Sequence, residues 1–244
     1  MENPSNPYSS SLPPRRAEIS FDSISQAWTV LKPNLGPWIG ATLIYLLVLG
    51  AINALLPKDS RGQPQFGAAY SMITLLSIVI GQFFTGGLIR MAIGTVRTGR
   101  AEFGLLFSAF DVLPTLLGAT LGATILISIA SIFGFALCIV PGLLLSGLFM
   151  FVVPLIVDQK RGALDAISTS FNTLKPQMWM ALLYIIVIGL VGSAGVLACC
   201  VGIVVTLPLT FLALAITYRD FFDSGTPQPQ GPFAPIAPIA DPRG

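Results

Sequence analysis

Along this chain, long uninterrupted apolar stretches alternate with short segments in which large apolar residues recur at helical spacing. No Asp, Glu, Lys or Arg occurs from Val112 to Val157 or from Pro176 to Tyr218. At about 1.5 Å rise per residue, each run is roughly twice the length that crosses a ~30 Å hydrocarbon layer, which predicts two helices folded back as a hairpin. Two single spans precede them, Leu35 to Leu56 and Ala68 to about Val96, separated by the polar stretch Pro57 to Gly67. The expected fold is all-α and integral to the membrane, with six transmembrane helices. Barrel strands are disfavoured, because they alternate in polarity over about ten residues and these runs are apolar on every side.

Three of the intervening segments share large apolar residues at i, i+3, i+7 and i+10. They are Phe21, Ile24, Trp28 and Leu31; Phe103, Leu106, Phe110 and Leu113; and Leu164, Ile167, Phe171 and Leu174. This spacing sets the four residues on one helical face. Polar residues such as Asp22, Ser25 and Gln26, or Asp165, Ser168 and Thr169, take the other. Each segment is followed by a proline, Pro33, Pro114 or Pro176, suited to a bend from the membrane surface into the bilayer. The stretch "IYLLVLG" ending at Gly50 also matches "LYIIVIG" ending at Gly189.

The pattern predicts a parallel pseudo-threefold repeat, with units at residues 19–97, 101–158 and 162–219. Each unit is a cytoplasmic interfacial amphipathic helix followed by a transmembrane hairpin. Trp28, Phe110 and Phe171 are the expected interfacial anchors, since aromatic rings favour the headgroup level. In "CIVPGLL", Pro141 and Gly142 mark the expected turn of the second hairpin. The third turn is less localised, among Gly192, Gly195 and Gly202.

Composition agrees with lipid as the solvent: of 244 residues, 54% are apolar and only 10% charged, against about 25% charged in a soluble domain. With six spans, eleven of the thirteen basic residues fall on one side and only Lys58 and Arg61 on the other. The richer side is expected to be cytoplasmic, placing both termini there and the chain in the cell (inner) membrane. The net charge of +2 gives no support for nucleic-acid binding. Residues 1–18 and the proline-rich residues 224–244 are expected to be disordered tails. The N-terminal stretch is longer than the n-region of a cleavable signal, so the first span is read as retained.

Candidate chemistry is sparse. The chain has no histidine, which excludes hydrolases that depend on one, and no catalytic, cofactor-binding or metal-ligating set is expected. Cys138, Cys199 and Cys200 lie in apolar runs; they read as small hydrophobes, or as a disulfide from Cys138 to one of the vicinal pair. Arg90 is the one charge inside a span. Lying about 10 Å from the interface by helix rise, it can snorkel toward headgroups and contact lipid phosphate, or line a ligand or ion pathway. Gly118 with Gly122, and Ala119 with Ala123, form small-xxx-small pairs suited to helix packing.

The stretches "FTGGLIRMAIGTVRTGRAEFGLLFSAF", "IVPGLLLSGLFMFVVPLIVDQKRGALDAISTSFNTLK" and "LPLTFLALAITYRD" complete the picture. Over residues 20 to 222 the chain resembles the uncharacterised bacterial multi-pass proteins grouped with the glycerophosphoryl diester phosphodiesterase membrane domain. The resemblance implies a helical inner-membrane module without a known catalytic residue set. The expected function is non-enzymatic: a scaffold, assembly or lipid-organising component of the cell envelope, with membrane lipids and a membrane or cytoplasmic protein as partners. The alternative is a small-solute or lipid transporter, since parallel repeats also build transporters. A lipid-modifying enzyme is third, because acids such as Glu102, Asp111 and Asp158 lie only at the membrane edges.

Overall fold

The computed structural model describes residues 18–59, 61–132, 135–197 and 201–223. Helix α1 (Asp22–Leu31) passes through a 3-10 turn at Lys32–Asn34 into α2 (Leu35–Ala54). Pro33 occupies the first positions of that turn, where a missing N–H costs nothing, and Asn34 leaves helical geometry (φ −111°, ψ 15°). Helix α3 (Ala68–Thr98) ends on Gly99 in the left-handed region (φ 74°). Two 3-10 turns, Phe103–Phe107 and Ala109–Asp111, lead to α4 (Leu113–Ile132). Then come α5 (Phe135–Leu148), α6 (Val152–Gln159) and α7 (Ala163–Leu174). A 3-10 turn at Lys175–Gln177 leads into α8 (Met178–Leu197), and α9 (Val201–Phe222) closes the described chain.

Five helical segments are long and apolar enough to cross a membrane, or six when the bent pair of residues 103–111 and 113–122 is taken as one span. Among the described residues there is no strand, only an isolated bridge between Lys58 and Pro64. Large apolar side chains stand exposed along the spans, including Leu47, Met72, Leu75, Trp179 and Leu190. So extensive an apolar exterior suits lipid rather than water.

Three expectations are corrected. Pro141 and Gly142 do not form a turn: both lie inside α5, beyond its first turn. A membrane helix tolerates such a proline because neighbouring groups re-satisfy the freed backbone. Next, the segment from Phe103 is not an α-helix but two 3-10 turns, meeting α4 at 74°. Finally, the apolar run from Val112 to Val157 does not return as one helix, for it breaks between Leu148 and Val152. Pro154 has no N–H to offer the carbonyl of Met150, which opens the ladder there. The Ser170 hydroxyl donates to the freed Leu148 carbonyl at 2.6 Å. Apart from Glu18, the tails expected at 1–18 and 224–244, and the pairing of Cys138 with Cys199 or Cys200, lie outside the described residues and side chains.

Packing passes from one stretch of chain to the next. Helix α1 rests on α9; the turn Phe103–Phe107 rests on α3 and α2; α7 rests on α6, α4 and α5. The first long helix after each of these segments touches a helix from the preceding stretch: α2 meets α9, α4 meets α3, and α8 meets α5. Glycines permit the closest approaches. A Cβ on Gly87 would stand 2.0 Å from the Leu106 carbonyl oxygen, and one on Gly147 would stand 2.9 Å from the Ala181 backbone. Gly118 and Gly122 face Ala163 and Ile167 of α7, so this small-residue pair serves packing.

Candidate functional site

Two of the three shared segments turn an unexpected face inward. In α1 the buried residues are Ser23, Ala27 and Leu31; in α7 they are Ala166, Ser170 and Leu174. Small residues at i and i+4, followed by a leucine of the apolar stripe at i+8, thus seat each helix, and the rest of the stripe lies beside that seam. Of the expected anchors, Trp28 is 41% exposed and Phe110 68% exposed, while Phe171 is half-buried. Lys32 lies over the Trp28 ring at 5.6 Å and Lys175 over Phe171 at 6.0 Å, whereas Phe110 packs on Phe83 with ring centres 4.2 Å apart.

Polar side chains then tie these segments across the fold. Asn34 follows Pro33; its amide donates to the Val30 and Gly99 carbonyls and accepts from the Ala101 N–H. Gln177 follows Pro176 and accepts from the Ile19 N–H at 3.1 Å. Ala101 and Ile19 both stand two residues ahead of a shared segment's first apolar residue. Deeper in, the buried Tyr184 hydroxyl meets Ser23 Oγ at 2.9 Å and Thr217 Oγ1 at 2.6 Å, joining α1, α8 and α9.

The charged groups gather where α3 and α6 end. Arg97, near the end of α3, holds Asp158 through two bonds (2.5 and 2.8 Å) and Asp223 through two more (2.8 and 3.0 Å). Tyr218 donates to Asp158 at 3.0 Å and accepts from the Gln159 amide. One guanidinium therefore clasps the ends of three stretches of chain. Arg97 stands two residues before Gly99, and Asp158 two before Lys160, which is also left-handed (φ 52°).

Arg90, about two helical turns before Arg97 on the same face of α3, reaches across to the neighbouring segments. It donates to the carbonyl and hydroxyl of Ser108, to Asp111 at 3.0 Å and to the Val157 carbonyl at 3.2 Å. Its side chain is 19% exposed. Lys160 holds the other side of Asp111 at 3.0 Å. Hydrogen bonds from Arg90 first, and then from Lys160, keep the Asp111 carboxyl below its ordinary range, which makes it a poor proton acceptor. Between these groups lies a cavity of about 350 Å³ with Arg90, Arg97, Lys160, Asp111 and Asp158 in its wall. No group of three or more His, Cys, Asp or Glu able to hold a metal ion occurs among the described residues.

Sequence reading had isolated Arg90 but missed Arg97, Asp158 and Asp223 as a unit. The placement of Arg97 and Asp158 each two residues before a left-handed position, Gly99 and Lys160, is a signal of local structure that the sequence hides. Asn34 and Gln177 could have been found from their place after the Lys-Pro pairs.

No protein-family model matches the chain, and no solved structure matches it. It is 26% identical over 129 residues to the uncharacterised protein Rv2560 of Mycobacterium tuberculosis, and to the same extent to the uncharacterised protein Mb2590 of Mycobacterium bovis. The match takes in 50% of this chain and spans 38% of each relative's length.

Proposed function

We propose that the chain is a non-enzymatic membrane scaffold of the cell envelope, built as three repeats closed into a ring. The observation that carries this reading is the Arg97 clasp, in which the charges at one end of the bundle are spent on joining helices. The ring is supported by the packing, because each amphipathic segment leans on the preceding unit and α1 leans on the last. The paired bonds of Asn34 and Gln177 repeat the same junction. The excess of basic residues supports a cytoplasmic position for the clasp and an inner-membrane location with both termini inside. Trp28, Phe110 and Phe171 would then sit at the cytoplasmic interface. The resemblance to the glycerophosphoryl diester phosphodiesterase membrane domain rests on the quoted stretches alone.

Purification of the full chain in mild detergent, followed by mass spectrometry of the intact complex, tests the reading. A stoichiometric protein partner is the expected result, retained when Arg97→Asp is combined with Asp158→Arg and lost with Arg97→Asp alone. The cavity beside the clasp favours one second reading, a small-solute or lipid transporter. Counterflow of a solute into proteoliposomes, with no protein retained, would transfer the assignment to it.

A further inference from the structure

We infer that the cavity between α3, α6 and the turn Ala109–Asp111 binds a phosphate group carrying one negative charge, with Lys160 as its principal contact. The inference rests on the membrane reading above, which puts the ends of α3 and α6 at headgroup level. The charged side chains lining this space are the cations Arg90, Arg97 and Lys160 and the carboxylates Asp111 and Asp158, a formal surplus of one positive charge. That surplus is not at Arg97, which is held by Asp158 and also by Asp223 from outside the cavity wall. It lies where one carboxylate, Asp111, answers two cations, Arg90 and Lys160, each at 3.0 Å.

Of those two cations, Lys160 is the one that Asp111 can spare. Arg90 alone reaches both Asp111 oxygens, and it is fixed further by Ser108 and Val157. Lys160 is 70% exposed, and Asp111 takes one of its three donors. Its backbone makes the same point. Among the described residues Lys160 is the one non-glycine residue with positive φ (52°), whereas the like position after α3 holds Gly99 at φ 74°. Glycine takes a left-handed position with least strain, so lysine stands there at a conformational cost that neutralising Asp111 does not explain. The charge count then sets the ligand. A phosphodiester matches a surplus of one, while a dianion would face Asp111 and Asp158 with a charge left over. Ile93, Leu105 and Val157 line the same space and offer apolar contact to a glycerol backbone. A volume of about 350 Å³ falls in the usual range for small-molecule sites, about 300–1,000 Å³. A phospholipid headgroup and a soluble phosphodiester share this chemistry.

The test is native mass spectrometry of the delipidated full chain with phosphatidylglycerol or phosphatidylcholine of identical acyl chains, and with glycerophosphoglycerol, the soluble headgroup of the first. Phosphatidylglycerol should be retained roughly fivefold better than phosphatidylcholine, whose own ammonium adds a cation to a site already in surplus; this is the scale of one elementary charge at a membrane surface. Lys160→Gly, chosen because glycine accepts the left-handed backbone at φ 52°, should abolish that preference, and Lys160→Asn provides a second variant. Lys175→Ala removes an equal charge outside the cavity and should leave the preference intact. Binding of glycerophosphoglycerol that depends on Lys160 and is as tight as that of the lipid would assign the site to a soluble phosphodiester, and weaker binding would assign it to the lipid. Equal retention of the two lipids without Lys160-dependent binding of the soluble ester, an unchanged preference in both Lys160 variants, or a loss in Lys175→Ala as large as in Lys160→Gly would each overturn the site. None of these outcomes touches the partner-retention test of the scaffold, so the two readings fail separately.

Discussion

Helix α7 and the paired turns from Phe103 to Asp111 carry the same apolar spacing, yet only one of them is an α-helix. In α7 the backbone bonds stay within the helix, and the outward contact is made by a side chain, Ser170 Oγ to the Leu148 carbonyl. In the other segment the backbone itself is claimed from outside. Arg90 takes the Ser108 carbonyl, and the Leu106 carbonyl lies against Gly87. Gly104 adds a residue of poor helix propensity at the start. Shared apolar spacing therefore does not fix the local conformation. The type of helix is decided by who claims the carbonyls.

The largest test of this contrast is Gly87→Ala. Its new Cβ would meet the Leu106 backbone at 2.0 Å, not the pliable end of a side chain, so about 3 kcal/mol of stability should be lost. Gly118→Ala, whose nearest neighbour across to α7 is 3.9 Å away, should cost little in the same thermal-unfolding assay. Similar midpoints for the two variants would show that the close approach at Gly87 does not matter.

Arg90→Gln comes next, removing the fork that organises the turns, at a cost of about 1.5–3 kcal/mol. Hydrogen exchange should quicken at residues 105–112 and stay unchanged in α7. Arg90→Lys should behave similarly, because one ammonium cannot reproduce bonds to Ser108, Asp111 and Val157 together. Full protection in Arg90→Lys would argue instead for simple charge.

A smaller effect is expected with acid. The folded Asp111 carboxyl lies below its ordinary value of 3.8, so its contribution is present above that value and is lost as pH falls through the folded one. Thermal midpoints measured from about pH 6 to about pH 3 should fall less steeply in Asp111→Asn than in the parent. The smallest effect belongs to Gly104→Ala, which meets nothing within 4 Å and should stabilise the segment by about 0.4–1 kcal/mol. Destabilisation would mean that Gly104 is needed where it stands.

Much of the architecture was legible because lipid imposes long apolar runs: α2 and α3 fall close to the two apolar stretches that flank Pro57 to Gly67, and the uncharged run after Pro176 holds two helices, α8 and α9. Pro141 misled because Pro-Gly is a turn signal in water, whereas inside a bundle neighbours stabilise a helix through it. The small stripe of Ser23 and Ala27, or Ala166 and Ser170, was hidden beneath the louder pattern of Phe and Trp. Arg97 was obscured for a different reason. A cation at a helix end reads as interfacial, and only the meeting of Asp158 and Asp223 across 61 and 126 positions of chain gives it a structural task.

The contact of Ser23 with Tyr184 spans 161 positions, and this separation bears on biogenesis. A ribosome adding about 5–20 residues per second needs roughly 10–30 s to travel that distance. Throughout that interval α1 is already made and its seat on α8 and α9 is not. Until α8 and α9 are made, the buried face of α1, with Ser23, Ala27 and Leu31, has no partner to close on. Its docking onto α8 and α9 is therefore a late step in completing the fold.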